Sequence, residues 1–269
     1  MTTLTVSSVT VSTGVTLEFV EQGPVSGVPI ICLHGVTDSW HSFEPMLPYV
    51  PDDVRVFAVT QRGHGGSSKP AEGYRYVDFA ADVRAFMDAV RLPDAIIAGH
   101  SMGSLVAQRF SVDYPHRVRA LALMGAFLTI HGDRGVERYW ESTLSPLTDP
   151  VPRGVAMDFQ CSTLAQPIAE SWLDLFVSES QRVPARVWRA AFREFLDTDF
   201  SAELETVAAP TLMLWGEKDA YCGPPHWAGL QQAIPHARAR IYEGVGHALH
   251  WEQPEQVAHD LVAFARAQR

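Results

Sequence analysis

The segment Ala95-Ile96-Ile97-Ala98-Gly99-His100-Ser101-Met102-Gly103 constrains what this chain can fold into more than any other. Its first four residues read as a short strand buried on both faces. Met102, Leu105, Val106 and Phe110 then recur at helical spacing, and Pro115 closes that helix. A strand that turns into a helix this sharply strains its central residue, Ser101, and lifts the side chain above the sheet. Glycines two before and two after remove side chains that would strike the neighbouring strand and helix. The helix start adds free N–H groups and a positive dipole end beneath any oxyanion formed there. A chance Gly-x-Ser-x-Gly in an ordinary turn needs no such context.

The rest of the first half alternates in the same way. Val15, Leu17 and Phe19 interleave with polar residues at period 2, a half-buried strand. Residues 29–33 and 54–59 read as buried strands, the second running into the Gly-rich loop 62–67. Phe79, Val83, Phe86, Met87 and Val90 mark one face of a helix, and residues 118–124 a further strand. Residues 127–200 break this rhythm with dense aromatics and five prolines between Pro146 and Pro184. Strand signals return at 211–215 and 238–242, with a helix near 225–234 and a last one carrying Val257, Leu261 and Phe264. The sum is an α/β chain around a mostly parallel sheet, with a helical insertion before the seventh or so strand. The 269 residues allow one domain with an insertion or two domains, since α/β folds often reach about 250 residues as one unit.

A serine hydroxyl needs a base, and the base needs an orienting carboxylate. His247 follows the strand 238–242 on the Gly-rich loop Glu243-Gly244-Val245-Gly246, where parallel sheets place their sites. Asp219 occupies the equivalent loop after strand 211–215, with Glu217 as the rival acid nearer the strand. His250, three residues beyond His247, is the second candidate base. The loop after strand 118–124 offers no acid, since Met124, Gly125, Ala126 and Phe127 carry no carboxylate.

Taken together, Leu33-His34-Gly35-Val36, the Arg62-Gly63-His64-Gly65-x-Ser67 loop, the elbow at Ser101, Gly216-x-x-Asp219 and Gly246-His247 resemble the α/β-hydrolase superfamily. The resemblance covers nearly the whole chain. It implies an α/β-hydrolase fold of about eight strands, with a core of residues 1–126 and 201–269 and a helical lid, 127–200, inserted after the sixth strand. It also implies a catalytic triad of Ser101, His247 and Asp219, with the backbone N–H groups of Val36 and Met102 as the oxyanion hole. Two positions depart from the family pattern. Thr60 stands where an Asp is usual, which touches loop packing rather than chemistry. Ser rather than Asp at the elbow argues against members that open epoxides or displace halide.

The expected activity is cofactor-independent hydrolysis of a small apolar or aromatic ester or lactone. His34, Trp40, Trp172 and Trp188 are the expected substrate contacts, although His34 reads first as a brace for the oxyanion loop. The stripe Trp188/Phe192/Phe195 reads first as lid core whose inner face lines the pocket. Carbon–carbon bond hydrolases of similar layout carry Trp after the catalytic His, where this chain has Ala248. Perhydrolysis by the same triad and a slow-turnover small-molecule receptor are the other readings. No metal is expected, because His41, His64, His226 and His250 lack carboxylate or cysteine partners at ligand spacing. The glycines at 63–66 lack the Lys-Ser/Thr of a phosphate loop and read as a tight turn. Cys222 shows no signal of activation.

Composition closes off other classes. With 21 basic and 31 acidic residues the net charge is −10, which disfavours nucleic acid and anionic membrane surfaces as partners. No apolar run approaches the ~20 residues of a membrane span. The stretch from Met1 to Val11 shows no signal-peptide pattern. Three cysteines without paired spacing fit a reducing cytoplasm. Oligomeric state is not legible.

Overall fold

The computed structural model describes residues 4–268. The expected outer bounds at residues 1 and 269, and the first three residues of the N-terminal stretch, lie outside them. In chain order the elements are β1 (Val6–Thr10), β2 (Thr16–Gln22), β3 (Val28–Leu33), β4 (Val54–Val59), α1 (Tyr76–Ala89), β5 (Ala95–His100), α2 (Met102–Asp113) and β6 (Val118–Met124). Four helices follow: α3 (Arg134–Tyr139), α4 (Arg153–Ser162), α5 (Glu170–Arg182) and α6 (Ala185–Asp197). The chain then returns to the sheet through β7 (Thr211–Gly216), α7 (Pro224–Ala233) and β8 (Arg238–Tyr242). It ends in the short α8 (Leu249–Glu252) and α9 (Pro254–Arg266).

The strands form one eight-stranded sheet in the order β1-β2-β4-β3-β5-β6-β7-β8. Only the pairings of β1 with β2 and of β2 with β4 are antiparallel. The parallel part runs from β4 to β8; its inner strands carry the continuous apolar runs of strands covered on both faces, whereas the edge strand β8 is exposed at all but Tyr242. Alternate residues of β3 serve opposite layers. Ile31 and Leu33 pack with Phe86 and Leu105 from α1 and α2, whereas Ile30 and Cys32 pack with Leu261 and Phe264 from α9.

This order puts β3 between β4 and β5, so the chain reverses direction across the sheet at β3. Loops leaving β3 and β5 therefore diverge at their carboxyl ends and open a crevice there, the general site position in such sheets. The elbow sits at that crevice. Ser101 adopts φ 53° and ψ −118°, a sparsely populated conformation for a residue with a side chain. Its neighbours allow the crossing only because they are glycine. A Cβ on Gly103 would stand 2.0 Å from the Leu33 carbonyl oxygen, and one on Gly99 would stand 2.1 Å from the Gly103 carbonyl oxygen.

Thr60 at the departing position accepts the Trp40 N–H at 3.1 Å, and its carbonyl accepts the Ser67 hydroxyl at 2.6 Å. It thus organises the loop after β4, as expected. Among the described residues no helix is long and apolar enough to cross a membrane.

The glycine crossing yields a paired test. Gly103→Ala should destabilise by about 3 kcal/mol or more, because the clashing atoms are backbone and cannot rotate away. Gly154→Ala, on the exposed first turn of α4 with nothing within 4 Å of the new Cβ, should stabilise by about 0.5–1 kcal/mol. Chemical denaturation of the two variants measures both. A well-folded Gly103→Ala of wild-type stability would contradict the close crossing.

Candidate active site

The loops after β3, β5, β7 and β8 meet at the carboxyl edge of the sheet. Ser101, on the elbow after β5, keeps 8% of its surface exposed and lines a chamber with His247, Gly35 and Val36. Asp219 lies beside it in the loop after β7. Its Oδ2 sits 2.8 Å from Nδ1 of His247, and both side chains are almost fully buried. The other carboxylate oxygen accepts the backbone N–H groups of Tyr221 and Cys222 at 2.8 and 2.9 Å. Burial alone would raise the Asp219 pKa. The charge and hydrogen bond of His247, with the two amides, outweigh it and hold the carboxyl down at about 2.

The rival acid stands elsewhere. Glu217 is exposed and accepts the Gly244 N–H at 3.0 Å, remote from the imidazole relay. His250 is fully buried and is bound through Nε2 to the Ser42 hydroxyl at 2.9 Å, with no carboxylate bonded directly to its ring among the described residues. His247 itself is fixed by its backbone, whose N–H donates to the Thr163 carbonyl at 2.9 Å. Its carbonyl accepts Nε2–H of His100 at 3.1 Å. Burial and then the neighbouring His247 lower the His100 pKa to about 3, so that ring is a neutral strut. No hydrogen bond joins the Ser101 hydroxyl to His247 among the described residues, although both face one chamber.

Met102 opens α2, so its N–H has no acceptor within the helix. The Val36 N–H likewise has no acceptor among the described residues. Met102 follows Ser101 on the elbow, and Val36, on the loop after β3, lines the same chamber as Ser101. Asp219, Cys222 and His247 bring ligand-type atoms within 4.8 Å of one another. Burial holds the Cys222 thiol well above its ordinary pKa, and it donates to the Gly125 carbonyl at 3.2 Å. Protonated and committed to that carbonyl, the thiol is a packing group rather than a ligand. His41 does have a carboxylate beside it, Glu44 at 2.6 Å, but the pair is a partly exposed local contact.

The chamber has two parts. The inner one, of about 50 Å³, is enclosed by the reactive loops and by Phe159, Phe192 and Phe195 of the inserted helices. The outer one, of about 560 Å³, shares Phe127, Phe159, Phe192 and Tyr221 with it and extends past Asp133, Asp158 and His226.

The four expected substrate contacts all stand behind this wall. His34 is fully buried, with Nδ1–H donating to the Gly35 carbonyl and Nε2 accepting the Gln61 N–H. Trp40 is buried and stacks on His41. Trp188 is fully buried, donates Nε1–H to the Ser180 carbonyl and meets Phe159 edge-on. Trp172 stacks on Phe176, which stacks in turn on Trp251. The reason is helical geometry. Along α6, Phe192 and Phe195 reach the chamber, while Trp188 one turn earlier fills the space between helices. Sequence reasoning missed Asp38, His100, Phe127, Gln160, Thr163, Tyr221 and Trp251 on the chamber wall. Of these, Trp251 carried a legible signal, four positions after His247 at helical spacing.

Asp38 is the unusual member. Its burial pushes the pKa up to about 7, against hydrogen bonds from Gln160 and Ser42 that favour the ionised form.

Asp219 makes acid stability informative. Its folded pKa of about 2 lies below the ordinary 3.8, so the ionised carboxylate stabilises the fold above pH 4 and that contribution is lost as the pH falls toward 2. The stability gap between wild type and Asp219→Asn should therefore shrink by about 2 kcal/mol between pH 5 and pH 2. Denaturant titrations across that range read it. A gap independent of pH would contradict the low carboxylate pKa.

Comparison with known proteins places this geometry. Residues 28–254 match the family model of the alpha/beta hydrolase fold. Over 97% of its length the chain is 27% identical to a non-heme chloroperoxidase of Streptomyces lividans, covering 99% of that protein. Among solved structures it resembles an esterase from Exiguobacterium antarcticum with a TM-score of 0.87 at 22% identity, over 97% of this chain and 99% of that one. It also resembles a bromoperoxidase from Bacillus anthracis with a TM-score of 0.85 at 23% identity, over 97% and 100% of the two chains. The family match across most of the chain, joined to an eight-stranded sheet with the elbow at its crevice, makes this protein a member of the alpha/beta hydrolase fold family.

Proposed function

We propose that this chain is a cofactor-independent serine hydrolase that cleaves a small, uncharged carboxylic ester or lactone through an acyl-enzyme. The observation that carries the reading is the buried 2.8 Å contact between Asp219 and His247 beside a chamber that also holds the strained Ser101. In the first step the serine hydroxyl turns onto Nε2 of His247, gives up its proton and adds to the substrate carbonyl carbon. Asp219 keeps the imidazole in the tautomer that accepts that proton and stabilises the imidazolium. The N–H groups of Val36 and Met102 take the oxyanion. Collapse expels the alcohol, which takes the proton from His247. A water then repeats the sequence on the acyl group, and the acid leaves with Ser101 regenerated.

The chambers set the substrate class. The inner one, at about 50 Å³, has room for roughly three to five waters, the size of a short acyl group. The outer one accommodates a larger apolar or aromatic portion. Neither wall includes Lys or Arg among the described residues, and both include Asp. A substrate carboxylate would lose hydration there without gaining a partner. Helices α3, α4 and α6 bring Tyr139, Phe159, Phe192 and Phe195 to the aromatic wall, so the insertion at 127–200 acts as a lid over a core of the remaining residues. The free cysteines Cys32, Cys161 and Cys222 support a reducing compartment such as the cytoplasm.

A second reading has one supporting observation, the full-length likeness to a protein named a non-heme chloroperoxidase. On that reading hydrogen peroxide replaces water in deacylation and the acid leaves as a peracid.

A panel of p-nitrophenyl esters and lactones, with and without hydrogen peroxide, tests both on wild type and Ser101→Ala. The expected result is hydrolysis that falls steeply beyond about four acyl carbons, a kcat lower by roughly 10³ or more in Ser101→Ala, and relief of the chain-length limit in Phe192→Ala. Peracid formation outpacing hydrolysis would favour the second reading. Equal activity in wild type and Ser101→Ala would overturn both.

A further inference from the structure

The turn after β3 carries a second strained residue. Thr37 adopts φ 72°, a left-handed conformation that costs a β-branched residue about 1–3 kcal/mol. It directly follows Val36, so relaxation at Thr37 would carry the Val36 amide with it. Within the core the turn is held by a long 3.3 Å bond from the Asp38 N–H to the Gly35 carbonyl, by the Ser42 hydroxyl on Asp38 Oδ2 at 3.3 Å and by His34 Nδ1–H on the Gly35 carbonyl, none of which engages the Thr37 side chain.

Further restraint, including that on the Thr37 side chain, comes from the inserted helices. The Thr37 hydroxyl donates to Ser180 Oγ on α5 at 3.1 Å. Ser180 uses its own proton on the Phe176 carbonyl, so toward Thr37 it acts as an acceptor. Gln160 on α4 spends one amide N–H on Ser180 Oγ at 2.7 Å and one on Asp38 Oδ1 at 2.9 Å. Ser42 donates to the other Asp38 oxygen at 3.3 Å. Thr37, Asp38, Gln160 and Ser180 are all buried, so every bond in this chain is shielded from water, and losing a partner leaves a buried polar group unsatisfied. Ser42 holds Asp38 from the core, but the bonds from Gln160 and Ser180 that grip both Thr37 and Asp38 exist only while the lid is in place.

We propose that Gln160 and Ser180 are positioning residues that hold the strained turn at Thr37 and Asp38, so that the oxyanion hole is complete only when the lid is seated. This rests on the reading of Val36 as an oxyanion donor. It gives the lid a part in the chemical step as well as in substrate choice.

The test is kcat and KM for p-nitrophenyl acetate in wild type, Gln160→Ala, Thr37→Gly and the double variant. Gln160→Ala should lower kcat by about 10- to 100-fold, since a misplaced donor is lost mainly in the transition state, with KM within about threefold of wild type. Glycine adopts the left-handed angle at no steric cost, so Thr37→Gly in the Gln160→Ala background should recover at least about fivefold of the lost kcat. A lid that merely lost stability would show no such rescue. Wild-type kcat in Gln160→Ala, or a double variant no faster than Gln160→Ala, overturns the proposal. Should Gln160→Ala fail to fold, Ser180→Ala with and without Thr37→Gly carries the same measurement and the same two outcomes. Hydrolysis that survives undiminished in Ser101→Ala would instead overturn the underlying serine reading.

Discussion

The site depends first on one close backbone crossing. The start of α2 passes so near the end of β3 that only a hydrogen fits at Gly103, with the carbonyl oxygens of Leu33 and His34 both within 2.7 Å of where a Cβ would stand. That contact fixes the angle at which β5 turns into α2, and hence the strained backbone of Ser101. It also sets the elbow against the loop that carries Val36. The strain costs on the order of 1–3 kcal/mol and is held because the sheet around it is over-determined. Ile96, Ile97, Ala98 and Gly99 register with strands on both sides.

Buried polar groups around the elbow are unevenly satisfied: Gln61 Oε1, His64 Nε2, His100 Nδ1 and His250 Nδ1 have no hydrogen-bond partner among the described residues, whereas the charged carboxylate is fully engaged. Asp219 has three hydrogen-bond donors, so its burial is compensated. His34 links the loop after β3 to that after β4 through Nε2, which accepts the Gln61 N–H, while Nδ1–H donates within its own loop to the Gly35 carbonyl. His100 joins the elbow to the backbone of His247. Burial lowers the pKa of both His34 and His100, which serve as neutral struts, whereas His247 faces a carboxylate and the chamber. Asp38 differs. Its carboxyl is paired with an amide and a hydroxyl rather than a cation, and its raised pKa reflects that weaker compensation.

Much of this was legible in the residues. Buried strands announced themselves as apolar runs, and β3 to β7 fall where those runs lie, whereas the exposed edge strand β8 carries no such run. The elbow and the loops bearing Asp219 and His247 could be placed because each follows a strand whose end is marked by Gly. The choice between Asp219 and Glu217 was harder, since both lie on one loop. It turns on which side chain points inward, which a sequence records only weakly. The wall of the chamber was misplaced for a related reason. Aromatic density marks the inserted helices and led to Trp172 and Trp188, whereas position along each helix decides what reaches the cavity. Trp188 packs between helices, and Phe192 and Phe195 take the inner face. The contacts of Asp38 with Gln160 and of Thr37 with Ser180 span over a hundred residues. No local pattern encodes such pairs.

The central claim is that the elbow serine carries the acyl group. Its most direct measurement is rapid-mixing hydrolysis of p-nitrophenyl acetate, followed by acid quench and peptide mapping by mass spectrometry. The account predicts release of about one p-nitrophenolate per chain in the first turnover, with an acetyl mass on the peptide containing Ser101 and on no other. No burst and no acetylated Ser101, while steady-state hydrolysis continues, would contradict it.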